Sequence, residues 1–477
     1  MMKSITFSYP GLLIFLLTAI AFNTPSAFGQ QGSISLSQSQ LPDFREVVTG
    51  HFSDVQFYEV SAQGISGSLE LSAEPPFRIS RECHTGYAAS LTLNSSQGEV
   101  SSTRIYVRMF PESTGNNQGV ITHQATDLQP VTLAVSGTGI ESLIPDNYYP
   151  ADTDTGSQLK TQLHQIISGH QVQSYTSIWT HILSTDATFS GAVWDIYSDI
   201  PCDVPPYSFT FGDDQDRGSG GSQEGQYYNR EHTMPQSWFD KASPMVTDLF
   251  HIYPTDKLVN SKRGNEPYGV VSNASWTSLN GSKLGANTAG SYSGTAFEPI
   301  DEYKGDLARV YFYMITRYED RIETWNSNST MLDHNKYPGY EPWAIDMLMA
   351  WHDQDPVSQK EILRNHEIYQ IQGNRNPYVD HPEYVEAIWG NPNVSAGGLP
   401  PNAALKIFPN PVTDHVKLES SIEILKLEVV SISGKRMRVF YPQATSATFS
   451  ARSLAPGLYF VVIHTSEGIF RKKMIKQ

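Results

Sequence analysis

Residues 228–269 read YNREHTMPQSWFDKASPMVTDLFHIYPTDKLVNSKRGNEPYG. A core segment repeats apolar residues at a fixed period; this stretch instead crowds a carboxylate, histidines, amides and cations together, as a site does. The adjacent pair Glu231-His232 and the later Asn260 are the candidates for chemistry. Imidazole titrates at about 6.5, so His232 can take a proton near neutral pH. Glu231 and the side-chain oxygen of Asn260 are hard donors, suited to a cation such as Mg²⁺ that keeps several waters. Pro254-Thr255 reads as the start of a short helix and Gly264 as its stop. A strand ending in Glu-His would then face a helix carrying Asn260. Arg230, Lys257, Lys262 and Arg263 offer cations to phosphate oxygens. Hydrolysis of a phosphodiester needs an activated water, a cation on the developing phosphorane and donors on the phosphate, and these residues match that need.

Plainer readings stand beside these. A single Glu-His pair arises often by chance, and Lys262-Arg263 alone would be a solvated helix face. His251, flanked by apolar residues in DLFHIYP, reads as a packed, hydrogen-bonded core histidine. Asp213, Asp214 and Asp216 read as a solvated acidic loop rather than a Ca²⁺ site. The run RVYFYMITRY (309–318) reads as core packing with an exposed cationic edge. HExxH is absent, which argues against a zinc protease.

The surrounding chain is too long, at 477 residues, for one core. Residues 1–29 have the pattern of a secretory signal peptide: Lys3, an apolar run from Leu12 to Phe22, and Ala27-Phe28-Gly29. Residues 30–141 alternate apolar and polar in short runs such as Leu69/Leu71 and Ile105/Val107/Met109, the pattern of a β-sandwich that serves as a spacer or binding module. From 146 to 392 the pattern turns α+β, with helices expected at 157–167, Lys304–Tyr318, Glu341–Trp351 and Pro356–Tyr369. Residues 393–402 compose a linker. Residues 403–477 form a small β module. Cys83 and Cys202 fall in different domains and are expected to be unpaired and structural.

The net charge of −16 argues against a general basic coat for nucleic acid but leaves room for a local cationic patch. It is also uneven: residues 400–477 stand at +6 and the rest at −22.

Residues 146–392 resemble the bacterial endonuclease I family, exported nucleases with a ββα-metal (His-Me) finger. The likeness lies in six blocks in order: VWDIYSD (193–199), NREHTMPQSWF (229–239), DLFHIYPTDKLVNSKRGNEPYG (248–269), RVYFYMITRYE (309–319), WHDQDPV (351–357) and QGNRNPYVDHPEYVEAIW (372–389). The resemblance implies that His232 is the general base and that Glu231 with Asn260 holds one divalent metal, Mg²⁺ or another hard cation. It places Arg263 and Asn265 at family positions as phosphate or structural groups. Some relatives carry a glutamate where this chain has Val246, and periplasmic relatives carry several disulfides. The tail resembles the sorting domain of the type IX secretion system, in LKIFPNPVTDHVKL (405–418), SISGK (431–435), LAPGLYFVVI (454–463) and FRKKMIKQ (470–477).

The expected protein is therefore multidomain: an N-terminal immunoglobulin-like β-sandwich, a central α+β nuclease domain built on a ββα-metal finger, and a small C-terminal β-sandwich. It is expected to be a secreted or surface endonuclease of DNA, with RNA as a second candidate substrate, sequence-nonspecific, leaving 5′-phosphate ends. Arg230, Lys262 and Arg263 would bind phosphate, the type IX machinery would be a partner, and no stable membrane insertion is expected. The competing readings are a catalytically silent adhesin on a nuclease fold and a secreted glycan hydrolase. The second needs two facing carboxylates about 5–10 Å apart, and the sequence offers no convincing pair.

Overall fold

A computed structural model describes residues 32–126, 128–150, 154–188, 190–218, 220–325, 329–390, 405–431, 436–452, 454–465 and 468–476. The stretch read as a signal peptide, the linker 393–402 and residues 432–435 of SISGK lie outside the described residues. Among those described, no helix is long and apolar enough to cross a membrane.

The first region is all strand: β1 (Ser33–Leu36), β2 (Glu46–Val48), β3 (Gln56–Gln63), β4 (Ser66–Ala73), β5 (Phe77–Ser80), β6 (Ser90–Asn94), β7 (Glu99–Met109), β8 (Gly115–Thr126) and β9 (Val131–Ile140). They form two sheets, ordered β1-β3-β7-β5 and β2-β9-β8-β4-β6. Alternation sends every second side chain inward, and Leu69, Leu71, Ile105, Val107, Met109, Ile121 and Leu133 from both sheets share one core.

The central region begins with α1 (Gly156–Ile167) and α2 (Ile178–Thr185). There follow β10 (Tyr228–His232), β11 (Ile252–Asp256) and α3 (Lys257–Arg263), then a sheet of β12 (Val271–Thr277), β13 (Lys283–Asn287) and β14 (Thr295–Glu298). The remainder is helical: α4 (Lys304–Arg317), α5 (Pro342–Gln354), α6 (Gln359–Gln372), α7 (Pro377–Asp380) and α8 (Glu383–Trp389). The expected helices appear within a few residues at each end. Helix α6 starts later than expected, because Ser358 and Glu361 form a reciprocal capping box there.

Helix α4 departs from expectation in its surface. All fourteen of its residues are buried, so RVYFYMITRY has no exposed cationic edge. Neighbours surround the helix, and its cations persist inside by pairing. Arg309 donates to both oxygens of Glu361 at 2.6 Å, and Arg317 Nε donates to His170 Nδ1 at 3.0 Å.

The cysteines depart as well: Cys83 and Cys202 form a disulfide, 119 residues apart in sequence. The expectation of unpaired thiols assumed that the β region and the helical region meet only through chain. They are docked. Gln359 donates to Glu46 O at 3.2 Å and accepts from Val48 N at 3.3 Å. Arg104 pairs with Asp203 at 2.9 Å, one residue from the bridge, and Val48, Ile362 and Val379 form a small shared core. The first region is thus a fixed neighbour rather than a free spacer.

The last region is one six-stranded sheet of β15 (Leu405–Phe408), β16 (His415–Ser431), β17 (Arg436–Phe440), β18 (Ala444–Ser450), β19 (Gly457–Thr465) and β20 (Gly468–Lys476). The expected alternation holds: Val416, Leu418, Leu427, Val429, Tyr459, Val461 and Ile463 all lie in its core.

Candidate catalytic site

Strands β10 and β11 pair antiparallel, with Glu231 opposite Tyr253 and His232 opposite Ile252. Helix α3 follows β11 directly. Its N-cap is Asp256, whose carboxylate accepts from the amides of Leu258 and Val259; Pro254 and Thr255, the expected start, belong to the strand, and the helix begins later, at Lys257. Gly264 ends the helix at φ +58, a conformation that favours glycine.

His232 is buried at the end of β10. Its Nε2 lies 3.1 Å from the Val246 carbonyl. A carbonyl can only accept, so Nε2 carries the proton and Nδ1 keeps a lone pair. This contact comes from backbone, so the missing glutamate side chain at position 246 does not affect it. Burial, with His251 nearby, pushes the His232 pKa down to about 3. The imidazole is therefore neutral, and able to accept a proton, throughout the physiological range.

The segment supplying that carbonyl is itself anchored. Asp248 accepts from Phe250 N, from Gln372 Nε2 and from the hydroxyls of Tyr313 and Tyr318. His251 is the core histidine expected from its flanks: it is fully buried and its Nε2 donates to Met245 O at 2.7 Å.

Glu231 points to the other side of β10. Its Oε1 accepts from the Tyr197 hydroxyl at 2.9 Å and from Arg263 Nη1 at 3.1 Å, which leaves Oε2 outside both bonds. Burial raises its pKa, and Arg263 and the Tyr197 hydroxyl hold it back. Asn260 projects from α3 toward the same strand. Its Nδ2 donates to Asn229 Oδ1 at 2.8 Å and Arg230 O at 3.4 Å. The amide nitrogen is thereby spent, and Oδ1 remains as an acceptor. Two hard oxygens, Glu231 Oε2 and Asn260 Oδ1, fit a divalent cation of the Mg²⁺ type. The one close His/Cys/Asp/Glu trio among the described residues is Cys83, His84 and Cys202, and its sulfurs are bonded to each other.

The expected phosphate ligands separate. Arg263 is buried, not free: it donates to Glu231, to the carbonyls of His232 and Thr233, and to the Tyr311 hydroxyl. It lies on the same helix face as buried Val259, so it braces the site from beneath and cannot meet a phosphate. Lys262, on the outer face, is exposed, as is Asn265. Lys257 pairs with Asp216 at 2.7 Å. Arg230 is half-buried between two rings, 3.8 Å from the Tyr175 centroid and 4.4 Å from that of Trp179. The acidic loop is partly engaged too, since Asp214 accepts from Thr210 N at 2.7 Å.

Sequence reasoning did not single out Tyr175, Trp179, Tyr268 or Tyr311. Tyr197 was visible only as part of the VWDIYSD block. Their apolar neighbours make such residues look like core, and nothing local marks them as facing Glu231, Arg230 or His232.

A strand pair and helix that carry a neutral histidine, a buried glutamate and an asparagine with its amide oxygen unspent supply the groups a hydrolase of the nuclease kind needs. Residues 155–383 match the family described as Endonuclease I, and residues 406–477 match the secretion system C-terminal sorting domain. The chain is 32% identical over 303 residues to an extracellular ribonuclease of Bacillus amyloliquefaciens, covering 62% of this chain and 92% of that protein. It is 33% identical over 258 residues to an extracellular ribonuclease of Bacillus subtilis (strain 168), covering 51% and 78%. It is 26% identical over 133 residues to Endonuclease-1 of Buchnera aphidicola subsp. Baizongia pistaciae, covering 28% and 46%. The protein belongs to the Endonuclease I family. It is an endonuclease, and its sorting domain places it outside the cell or on the outer cell surface.

Proposed function

We propose that the protein hydrolyses phosphodiester bonds of DNA and RNA without sequence preference, leaving 5′-phosphate ends, with His232 as the general base. The observation that carries this reading is the Nε2–H···O=C bond from His232 to Val246, which frees Nδ1 as a base held neutral by burial. Nδ1 takes a proton from water as its oxygen attacks phosphorus, and the imidazolium then formed keeps the carbonyl as its partner. Glu231 and Asn260 would hold one Mg²⁺-type ion, which supplies positive charge against the phosphorane and leaving oxygen. Arg263 fixes Glu231, and Lys262 and Arg230 meet the nucleic acid backbone. RNA is included because two relatives are named ribonucleases.

On this reading β10, β11 and α3 compose a ββα-metal finger, and the first region is an immunoglobulin-like β-sandwich. The proposed divisions are a signal peptide at 1–29, that sandwich at 30–141, the catalytic domain at 146–392, a linker at 393–402 and a type IX sorting domain at 403–477. The type IX machinery would be the export partner, and the tail would be removed on arrival.

The test is degradation of plasmid DNA and of RNA with EDTA, and after adding back Mg²⁺ or Zn²⁺. Mg²⁺ should restore cutting; restoration by Zn²⁺ alone would sink the hard-ion assignment. His232→Ala should cut at least ~10²-fold more slowly while binding nucleic acid and melting as wild type does. Full activity in that variant removes the histidine from the chemistry.

A further inference from the structure

Tyr175 lies between α1 and α2 and is 41% exposed, although it covers a buried histidine. Arg230 and His232 are two apart on β10, so their side chains leave the strand on one side. The Arg230 guanidinium lies 3.8 Å from the Tyr175 ring centre. The His232 imidazole runs within 15° of the ring plane, with centroids 6.0 Å apart. Both partners come from the side of β10 that carries Arg230 and His232, and Tyr175 keeps 41% of its surface exposed despite them.

The segment is held in place independently of the ring. Arg230 Nη1 donates to the backbone carbonyl of Tyr175, and Trp179 packs against the other side of the guanidinium. Gln173, two residues earlier, bonds His181 of α2 at 3.0 Å and the Ile371 carbonyl at 3.3 Å. The ring is thus a pre-set aromatic platform, backed by a cation and adjacent to the general base. Exposed rings of this kind beside cationic groups receive nucleobases by stacking, and every base has a face to offer.

We propose that Tyr175 is a stacking subsite for one unpaired nucleobase flanking the scissile phosphate, which directs the enzyme toward single-stranded DNA and RNA. The proposal rests on the reading of His232 as the nuclease base. In a duplex each base is already paired and stacked, so reaching Tyr175 costs unstacking that a single strand does not pay. The site takes any base, consistent with cutting that ignores sequence.

The test uses the full chain and fluorescein-labelled oligonucleotides, single-stranded and annealed, in DNA and RNA versions. KM and kcat are measured with Mg²⁺, and affinity by anisotropy in EDTA, where cleavage does not intervene. Tyr175→Ala should raise KM and Kd for single strands about tenfold, leave kcat within about twofold, and leave duplex binding unchanged. Tyr175→Phe keeps the ring and should recover the single-strand affinity. Three outcomes overturn the proposal: an equal loss on duplex, a fall in kcat at constant KM, or no change on single strands. Failure of the wild type to cut any substrate with Mg²⁺ would instead strike the nuclease reading, and the anisotropy arm would still report on stacking.

Discussion

Lys262 and Arg263 are neighbours on α3, yet their environments are opposite. The helical turn puts Arg263 on the face of Val259, against β10, and Lys262 on the outside. Removing Arg263 would leave the Glu231 carboxylate buried without its cation, take a donor from the His232 carbonyl and leave Thr233 O with the Tyr311 hydroxyl. Breaking a buried pair in this way costs about 3–5 kcal/mol. Arg263→Met should therefore lower the melting temperature sharply and weaken Mg²⁺ binding, measured by calorimetry. Even Arg263→Lys should be poor, because an ammonium cannot reproduce the guanidinium fork. Lys262→Ala should melt as wild type and reduce the salt slope of nucleic acid binding by about one. If instead Arg263→Met kept its stability and lost only the salt slope, Arg263 would be the phosphate ligand after all. Glu231, His232 and Asn260 were legible from sequence because their side-chain chemistry is unusual among apolar neighbours. The division of labour between Lys262 and Arg263 was not, since it depends on which helix face meets β10. The amide orientation of Asn260 and the Val246 carbonyl are likewise products of the fold.

At the junction of α4, α5 and α6, three buried carboxyls surround one guanidinium. Arg309 on α4 is bidentate to Glu361 of α6 and lies 3.7 Å from Asp306, while Asp355 accepts from Gly305 N at 2.8 Å. Arg364, the next cation on α6, is committed to Asp186 at 2.7 Å. One positive charge cannot satisfy three negative ones in this burial, so a proton stays behind. Burial and Glu361 raise Asp306 well above its ordinary value, and burial raises Asp355 to about 7. The folded state therefore holds a proton that the unfolded chain releases near 3.9. This contribution to stability is whole below about pH 3.9 and is lost as pH rises through the folded value. His352, beside Arg309 and pushed down to about 3, acts in the opposite sense, but only below its unfolded value of about 6.5. Between pH 6.5 and 8.5 the carboxyl term stands clear of it. Thermal melts across that window should show Asp306→Asn, whose amide needs no titrating proton, gaining stability relative to wild type as pH rises. Parallel curves would mean that the pair holds no proton. The helices themselves were readable from the sequence to within a few residues. Complete burial of α4 was not, because the RVYFYMITRY pattern of apolar and basic residues fits a half-exposed helix equally well. Which neighbours close over a helix is a tertiary matter.

Across the whole molecule, the disulfide and the charge asymmetry divide the chain differently. Cys83 and Cys202 tie the first β region to the nuclease region, a pairing that sequence could not reveal while the two regions looked independent. Chain-entropy arguments assign such a native bridge about 2–5 kcal/mol. Cys202→Ser should lower the melting temperature yet cut nucleic acid at room temperature, since Gln359, Arg104 and the Val48–Ile362–Val379 contacts still dock the regions. Two thiols titrating in native wild-type protein would sink the bridge. The tail behaves differently. Its sheet is built from β15 to β20 alone, and its core from residues 405–474. It also carries +6 against −22 for the remainder, and the Endonuclease I match ends at residue 383, before it begins. A chain ended at Asn393 should therefore fold and cut DNA at close to the full-length rate. In the native host the same truncation should leave the protein behind the outer membrane, because the sorting signal is gone. Purified activity and blots of cell fractions read the two claims separately. Truncated protein in the medium would overturn the sorting role, whereas truncated protein that is correctly folded but inactive would make the tail part of the enzyme.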